Sequence, residues 1–208
     1  YWGNILYQRM FKVKEYREGL TAAIEDLRSQ YLTEEKINSL VSTYRIVTKP
    51  YVYRMPDLMY APLTESEYDV VADSIAKEVE ENYQLYLESL EKPMPFYIGV
   101  PEASGDKLTF VWDTAYDFDG ENITYSIDVS SDYLFQNIIY SSTDLRIPEM
   151  ETNILPPGQY FVRVIAENES GKTQTAFDYY SIDEGKVYGT KCFYILEDGS
   201  IEEDIRVE

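Results

Sequence analysis

The 208-residue sequence predicts an α+β chain of two modules, a helical segment followed by an all-β sandwich. Three observations predict it. Through roughly the first 95 positions apolar residues recur at three- and four-residue steps, the period of one helix face. From about residue 107 the period changes to two, in runs joined by turn residues, as in half-buried antiparallel strands. The charge changes as well: residues 1–98 hold 11 basic and 16 acidic side chains, net −5, whereas 99–208 hold 7 and 22, net −15. The expected boundaries are a helical segment 1–95, a sandwich 96–182 and a C-terminal β-hairpin extension 183–208.

Ile5, Leu6, Met10 and Phe11 have helical spacing, and a longer stripe follows: Val13, Tyr16, Leu20, Ile24, Leu27 and Tyr31. Thr33 stands as an N-cap before Glu34 and Glu35, acids placed to favour the helix dipole. Ile37, Leu40, Val41 and Tyr44 continue the stripe as far as Lys49-Pro50. Pro50, Pro56 and Pro62 then interrupt any long helix. Thr64 and Glu67 form a capping box, and Val71, Ile75, Val79, Tyr83, Tyr86 and Leu90 carry a last helix to Lys92-Pro93. In the second module Leu108, Phe110 and Trp112 alternate with polar neighbours, as do Tyr125, Ile127 and Val129, then Tyr160, Val162 and Val164. Thr175, Phe177 and Tyr179 read as a last sandwich strand. The tail reads as a strand, an Asp198-Gly199 turn and a return strand.

Composition excludes several classes. There is no histidine, which removes His-based triads and His metal ligands. The one cysteine, Cys192, lies in an apolar run and reads as a buried inert thiol. A net charge of −20 argues against nucleic acid and against an anionic membrane surface. No apolar run approaches the roughly 20 residues of a bilayer span. No G-x-G-x-x-G, Walker A or G-x-S-x-G motif occurs. The sequence therefore assigns no catalytic, cofactor-binding or metal-binding residue and no cofactor to this segment. The chain begins at Tyr1 inside a helical run and reads as part of a longer protein, with any leader, anchor or upstream domain out of view.

Four features are candidate sites. Asp113, Asp117, Asp119 and Glu121 cluster at a D-x-D-G turn, where calcium or a plain structural turn would account for them. The 38 acids offer many carboxylate pairs, and only spatial separation makes a glycosidase pair. Tyr133, Phe135, Tyr140, Tyr179, Tyr180, Tyr188 and Tyr194 would stack on sugars if exposed and coplanar, or form core and cross-strand pairs. Leu155-Pro156-Pro157-Gly158-Gln159-Tyr160 suits a tyrosine corner, a stabilising device.

Together, LTFVWDTAYDFDGENITYSIDVSSDYLFQN and LPPGQYFVRVIAENESGKTQTAFDYY resemble a bacterial fibronectin type III-like module of immunoglobulin-like sandwich form, with Trp112 in its core and Tyr160 at its corner. The stretch YWGNILYQRMFKVKEYREGLTAAIEDLRSQYLTEEKINSLVSTY resembles the C-terminal helical end of the CotH kinase family, the spore-coat-protein-H-type atypical kinases. It carries an aromatic-rich opening, an F-to-YR pattern from Phe11 to Arg17 and a leucine-rich helix. The resemblance implies a parent protein, bacterial and extracellular, cell-surface or spore-associated. That parent would transfer phosphate from ATP to protein serine with a divalent metal. The nucleotide and metal residues of that family lie upstream of this helical end, so none is carried over and the fragment itself is expected not to catalyse. The sandwich would be a spacer or adhesion module towards envelope or spore-coat proteins, or surface glycans. Two rivals stand beside this reading: a carbohydrate-binding accessory module of a secreted hydrolase, which requires an exposed aromatic platform, and a purely structural spacer, which requires those aromatics buried. The CotH reading requires a large apolar patch on the helical half.

Overall fold

The structure is a computed structural model, and it describes residues 4–204. Two compact units are present: a helical one, Arg9–Glu88, and a second that runs from Ser89 and also takes in residues 4–8.

The helices are α1 (Ile5–Phe11), α2 (Lys14–Gln30), α3 (Glu34–Val52) and α4 (Glu65–Leu90), with a 3-10 turn at Asp57–Tyr60. Their starts follow local chemistry. Thr33 accepts from the Lys36 N–H, and Thr64 and Glu67 bond reciprocally: the Thr64 N–H donates to Glu67 Oε2 at 2.8 Å and the Glu67 N–H to Thr64 Oγ1 at 3.3 Å. That reciprocity satisfies two donors a helix start leaves open. Thr64→Ala is expected to cost about 1 kcal/mol of helix stability, read as an earlier thermal transition in far-ultraviolet circular dichroism. Helix α3 runs through Pro50 to Val52, two residues beyond the expected stop. A proline in the final turn removes few ladder bonds, so the helix there ends gradually.

The second unit is a sandwich. Its smaller sheet has the order β1-β2-β5 and its larger β11-β10-β6-β3-β4, with β7 on β6 and a separate β8–β9 hairpin. The smaller sheet is built from β1 (Glu102–Ser104), β2 (Lys107–Val111) and β5 (Glu149–Asn153). The larger has β3 (Ile123–Ser130), β4 (Ile138–Leu145), β6 (Gly158–Asn168), β7 (Thr173–Thr175), β10 (Thr190–Ile195) and β11 (Ile201–Glu203). The hairpin is β8 (Tyr179–Ile182) and β9 (Gly185–Tyr188). All pairings are antiparallel. The two-module α+β architecture expected from the sequence is the one found.

Two sequence readings shift. The stretch 175–179 is not one strand: β7 ends at Thr175 and Tyr179 opens the β8–β9 hairpin. The last long strand of the sandwich is instead β10, which pairs with β6 from Thr190↔Arg163 to Ile195↔Gly158. Much of segment 183–208, expected as an appended hairpin, is thus ladder-bonded into the larger sheet.

The inner faces of both sheets close over Leu108, Phe110, Ile127, Val129, Val162, Val164 and Phe193, all essentially inaccessible to water. Trp112, just past β2, packs edge-on to Tyr125 at 5.5 Å. The outer face of the larger sheet is also covered at one place, where Phe135, Phe161, Tyr180 and Cys192 form a second cluster with Ile182 and Val187 of the hairpin. That is why β6 is buried on both faces and reads as a near-continuous apolar run. Tyr160 donates its hydroxyl to the Pro156 carbonyl at 2.9 Å, the expected tyrosine corner. Tyr160→Phe removes that bond alone and is expected to cost about 1 kcal/mol, visible as a lower urea midpoint.

Candidate functional site

In the helical unit the side chains that join the helices are largely polar. Thr21 of α2 shares a hydrogen bond with Tyr86 of α4 at 2.7 Å. Arg28 lies over the Tyr83 ring at 3.5 Å and pairs with Glu80. Between α3 and α4, Lys49 pairs with Asp69 at 2.7 Å and Glu65 at 3.2 Å, and Arg45 with Asp73 at 2.5 Å. These carboxylates hold both cations above their usual pKa, the hydrogen bonds to Asp69 and Asp73 leading and partial burial opposing.

The consequence is an inverted surface. The stripe on α2 expected to face a core is exposed at Val13, Tyr16, Leu20, Leu27 and Tyr31, and only Ile24 is half-buried. The contact face is rotated to Arg17, Thr21, Ile24 and Arg28. Helix α3 behaves alike, with Ile37 buried but Ile46 77% exposed, and Val70 of α4 is 69% exposed. Among the described residues of Arg9–Glu88, the buried apolar side chains are Phe11, Ile37, Ala72 and Tyr86. The apolar side chains of these stripes therefore point largely to solvent.

The sandwich carries an open cavity of about 630 Å³ at one loop end, between the β2–β3 loop, Arg146 and Glu167–Glu169. Asp117 organises its wall. The carboxylate accepts from the Asp119 and Glu121 N–H groups at 2.9 and 3.1 Å and from Asn168 Nδ2 at 3.0 Å. Glu121 in turn accepts from the Ser170 N–H at 2.8 Å, tying this turn to the loop after β6. The D-x-D-G turn therefore spends Asp117 and Glu121 on loop geometry. Among the described residues no group of three or more His, Cys, Asp or Glu is gathered as for a metal.

The seven aromatics do not share one surface. Phe135 and Tyr180 are buried, Tyr133, Tyr140 and Tyr194 are half-buried, and Tyr179 and Tyr188 are exposed. Those two are cross-strand partners on the hairpin, with rings 6.2 Å apart and inclined at 57°, so they offer no coplanar platform. Cys192 is buried, as expected from its apolar run, and its Sγ lies 3.3 Å from Gln159 Nε2. Asp132 accepts the Leu134, Gln136 and Asn137 N–H groups at 3.0, 3.2 and 2.8 Å. Partial burial pushes its carboxyl up, but these bonds outweigh it and hold the pKa below the usual range. A depressed carboxyl stabilises above its unfolded pKa and loses that contribution as pH falls through its folded value. Asp132→Asn should therefore flatten the acid limb of the stability profile, measured as urea midpoints from neutral to strongly acid pH.

One cluster carried no signal in the sequence. Lys191 Nζ lies 3.1 Å from Asp178 Oδ1 and is bonded to Glu203, and the side chains of Lys191 and Asp178 are only 11% and 10% exposed. Asp178 Oδ2 also accepts the Ile98 N–H at 2.7 Å. Burial pushes the Lys191 pKa down, but Glu203 and Asp178 outweigh it and the net shift is upward.

The described residues thus form a helical unit with exposed apolar side chains, followed by a two-sheet antiparallel sandwich. Residues 1–86 match the family described as CotH kinase protein, so the helical segment carries the resemblance read from its sequence. No curated protein matches the chain. Among solved structures, the chain is similar to the twitchin kinase region from C. elegans at 18% identity and TM-score 0.30, over 46% of this chain and 20% of that one. It is also similar to a structure described as FN3tt mut at 26% identity and TM-score 0.26, over 41% of this chain and 93% of that one. The chain thus spans about a fifth of the twitchin structure. Among the described residues no helix is long and apolar enough to cross a membrane.

Proposed function

We propose that this chain is a non-catalytic part of a CotH-like bacterial surface or spore-associated protein. Its helices brace the remainder of the kinase-like domain, and its sandwich acts as a spacer or adhesion module towards envelope or spore-coat proteins. The observation that carries this reading is the exposed apolar face of the helical unit, within the residues that match the family. Its occupant is the rest of that domain: the helices meet one another through ion pairs and hydrogen bonds and leave their apolar stripes for a larger core. In this reading the parent transfers phosphate from ATP to protein serine, and no residue of this chain holds nucleotide or metal.

A thermal-shift titration with ATP and Mg²⁺ or Mn²⁺ tests it, on this chain and on one extended upstream through the whole domain. A ligand that binds only the folded state raises the melting temperature. The expected result is a shift in the longer chain alone. A shift in this chain, or in neither, overturns the reading.

A further inference from the structure

We propose that Lys191 and Asp178 are joined by an intramolecular isopeptide bond, formed spontaneously with Glu203 as proton carrier. The geometry of the three groups carries the proposal. Lys191 shares the inner face of β10 with Phe193, two residues on, and Glu203 of β11 stands opposite Phe193, so both charged groups point to the apolar side of the sheet. Asp178 enters the same space from the segment before β8, with Nζ and Oδ1 3.1 Å apart. By contrast, the pairs of Arg28 with Glu80, Arg45 with Asp73, Lys49 with Asp69 and Arg163 with Asp128 each have a partner 20% exposed or more. Here nucleophile and acceptor are both shielded and held in contact. Such fixing replaces a bimolecular encounter and is worth many kcal/mol in effective concentration.

The atoms balance within the site. The Lys191 ammonium gives one proton to Glu203, and the amine lone pair attacks Cγ of Asp178. Negative charge collects on Oδ2, where the Ile98 N–H donates at 2.7 Å, a position suited to stabilise it. The Nζ–Cγ bond forms and the Cγ–Oδ1 bond breaks. Oδ1 leaves as water, taking the proton relayed by Glu203 and a second from nitrogen; the third Nζ proton stays on the amide. Ammonium plus carboxylate become amide plus water, with no oxidant and no activating co-reactant. Release of water from an apolar site favours the condensed product. The bond would close the loop from Asp178 to Lys191 and so anchor the β8–β9 hairpin. It supplies a covalent staple that a chain with one cysteine cannot make from an internal disulfide.

Intact mass spectrometry of the denatured full chain decides the question. The expected mass lies below the sequence mass by one water, and proteolysis is expected to yield a branched peptide linking Asp178 to Lys191. Lys191→Arg should appear at its full sequence mass. Glu203→Gln should form the bond about a hundredfold more slowly, the scale of a lost proton-transfer group. Wild-type chain at its full sequence mass after prolonged incubation at neutral pH overturns the proposal, and so does a mass deficit that maps to other residues. Because the wild-type mass alone is decisive, a variant that fails to fold does not blunt the test.

Discussion

Phe193→Ala is expected to destabilise the sandwich by about 3–5 kcal/mol, the usual cost of deleting a buried aromatic ring. Phe193 is fully buried on the inner face of the larger sheet. Its ring meets Phe110 of the opposite sheet edge-on at 5.8 Å and Tyr160 at 5.8 Å. One truncation therefore opens a cavity between the two sheets and removes the support of the tyrosine corner. The neighbours are held by ladders on both sides, so the site cannot collapse to fill the void. Urea unfolding followed by tryptophan fluorescence reads the effect, since Trp112 lies in the same core. A loss below about 1 kcal/mol would mean that the sheets repack, contrary to the rigid core described.

Lys191→Met is expected to cost about 3 kcal/mol, because it leaves the Asp178 carboxylate buried without its cation. The pH dependence separates the two forms of the site. As an ion pair, Lys191 has a raised pKa, so its contribution is complete at neutral pH and is lost as pH rises through the folded value, beyond the ordinary lysine range. As an amide it does not titrate, and that alkaline loss disappears. Urea midpoints of wild type and Glu203→Gln from neutral to strongly alkaline pH are expected to diverge: the bonded wild type stays level while the slower-bonding variant falls.

The helical face bears on function in the same way. Arg28, Arg45 and Lys49 spend their charges between helices, each on carboxylates of α4. What remains outside is apolar, as at Ile46 and Val70. That distribution is costly for a unit that stays alone in water and ordinary for one that completes a larger core. The family resemblance leads to the expectation of an apolar patch on this half, and the residues of the stripes that are individually exposed include Val13, Leu20, Leu27 and Leu40.

How much was legible follows the range of the interactions involved. The Thr33 cap, the Thr64–Glu67 box, the Asp198-Gly199 turn and the Tyr160 corner are contacts within five residues, and each was readable because its donors and acceptors are neighbours in sequence. The strands of the inner core were readable because alternation survives wherever one face is buried. Strand β4 is not legible in the same way: it is a sheet edge that exposes Ile138 and Ile139 and half-buries Ser142, so apolar and polar residues do not follow its inner and outer faces.

Helix existence, the change from a three-to-four to a two-residue period, the acidic second half and the absence of histidine were determined by the sequence alone, because each depends on local backbone preference or on composition. Which face of α2 is covered was decided by the tertiary structure, since Thr21 and Arg28 find partners more than fifty residues away on α4. The same holds for β10, whose place in the larger sheet depends on pairing with β6, and for Lys191, Asp178 and Glu203, which are unremarkable in sequence. A strand pairing and a buried charge cluster are both set by which distant surfaces exclude water together, and no window of the sequence contains both sides of that contact.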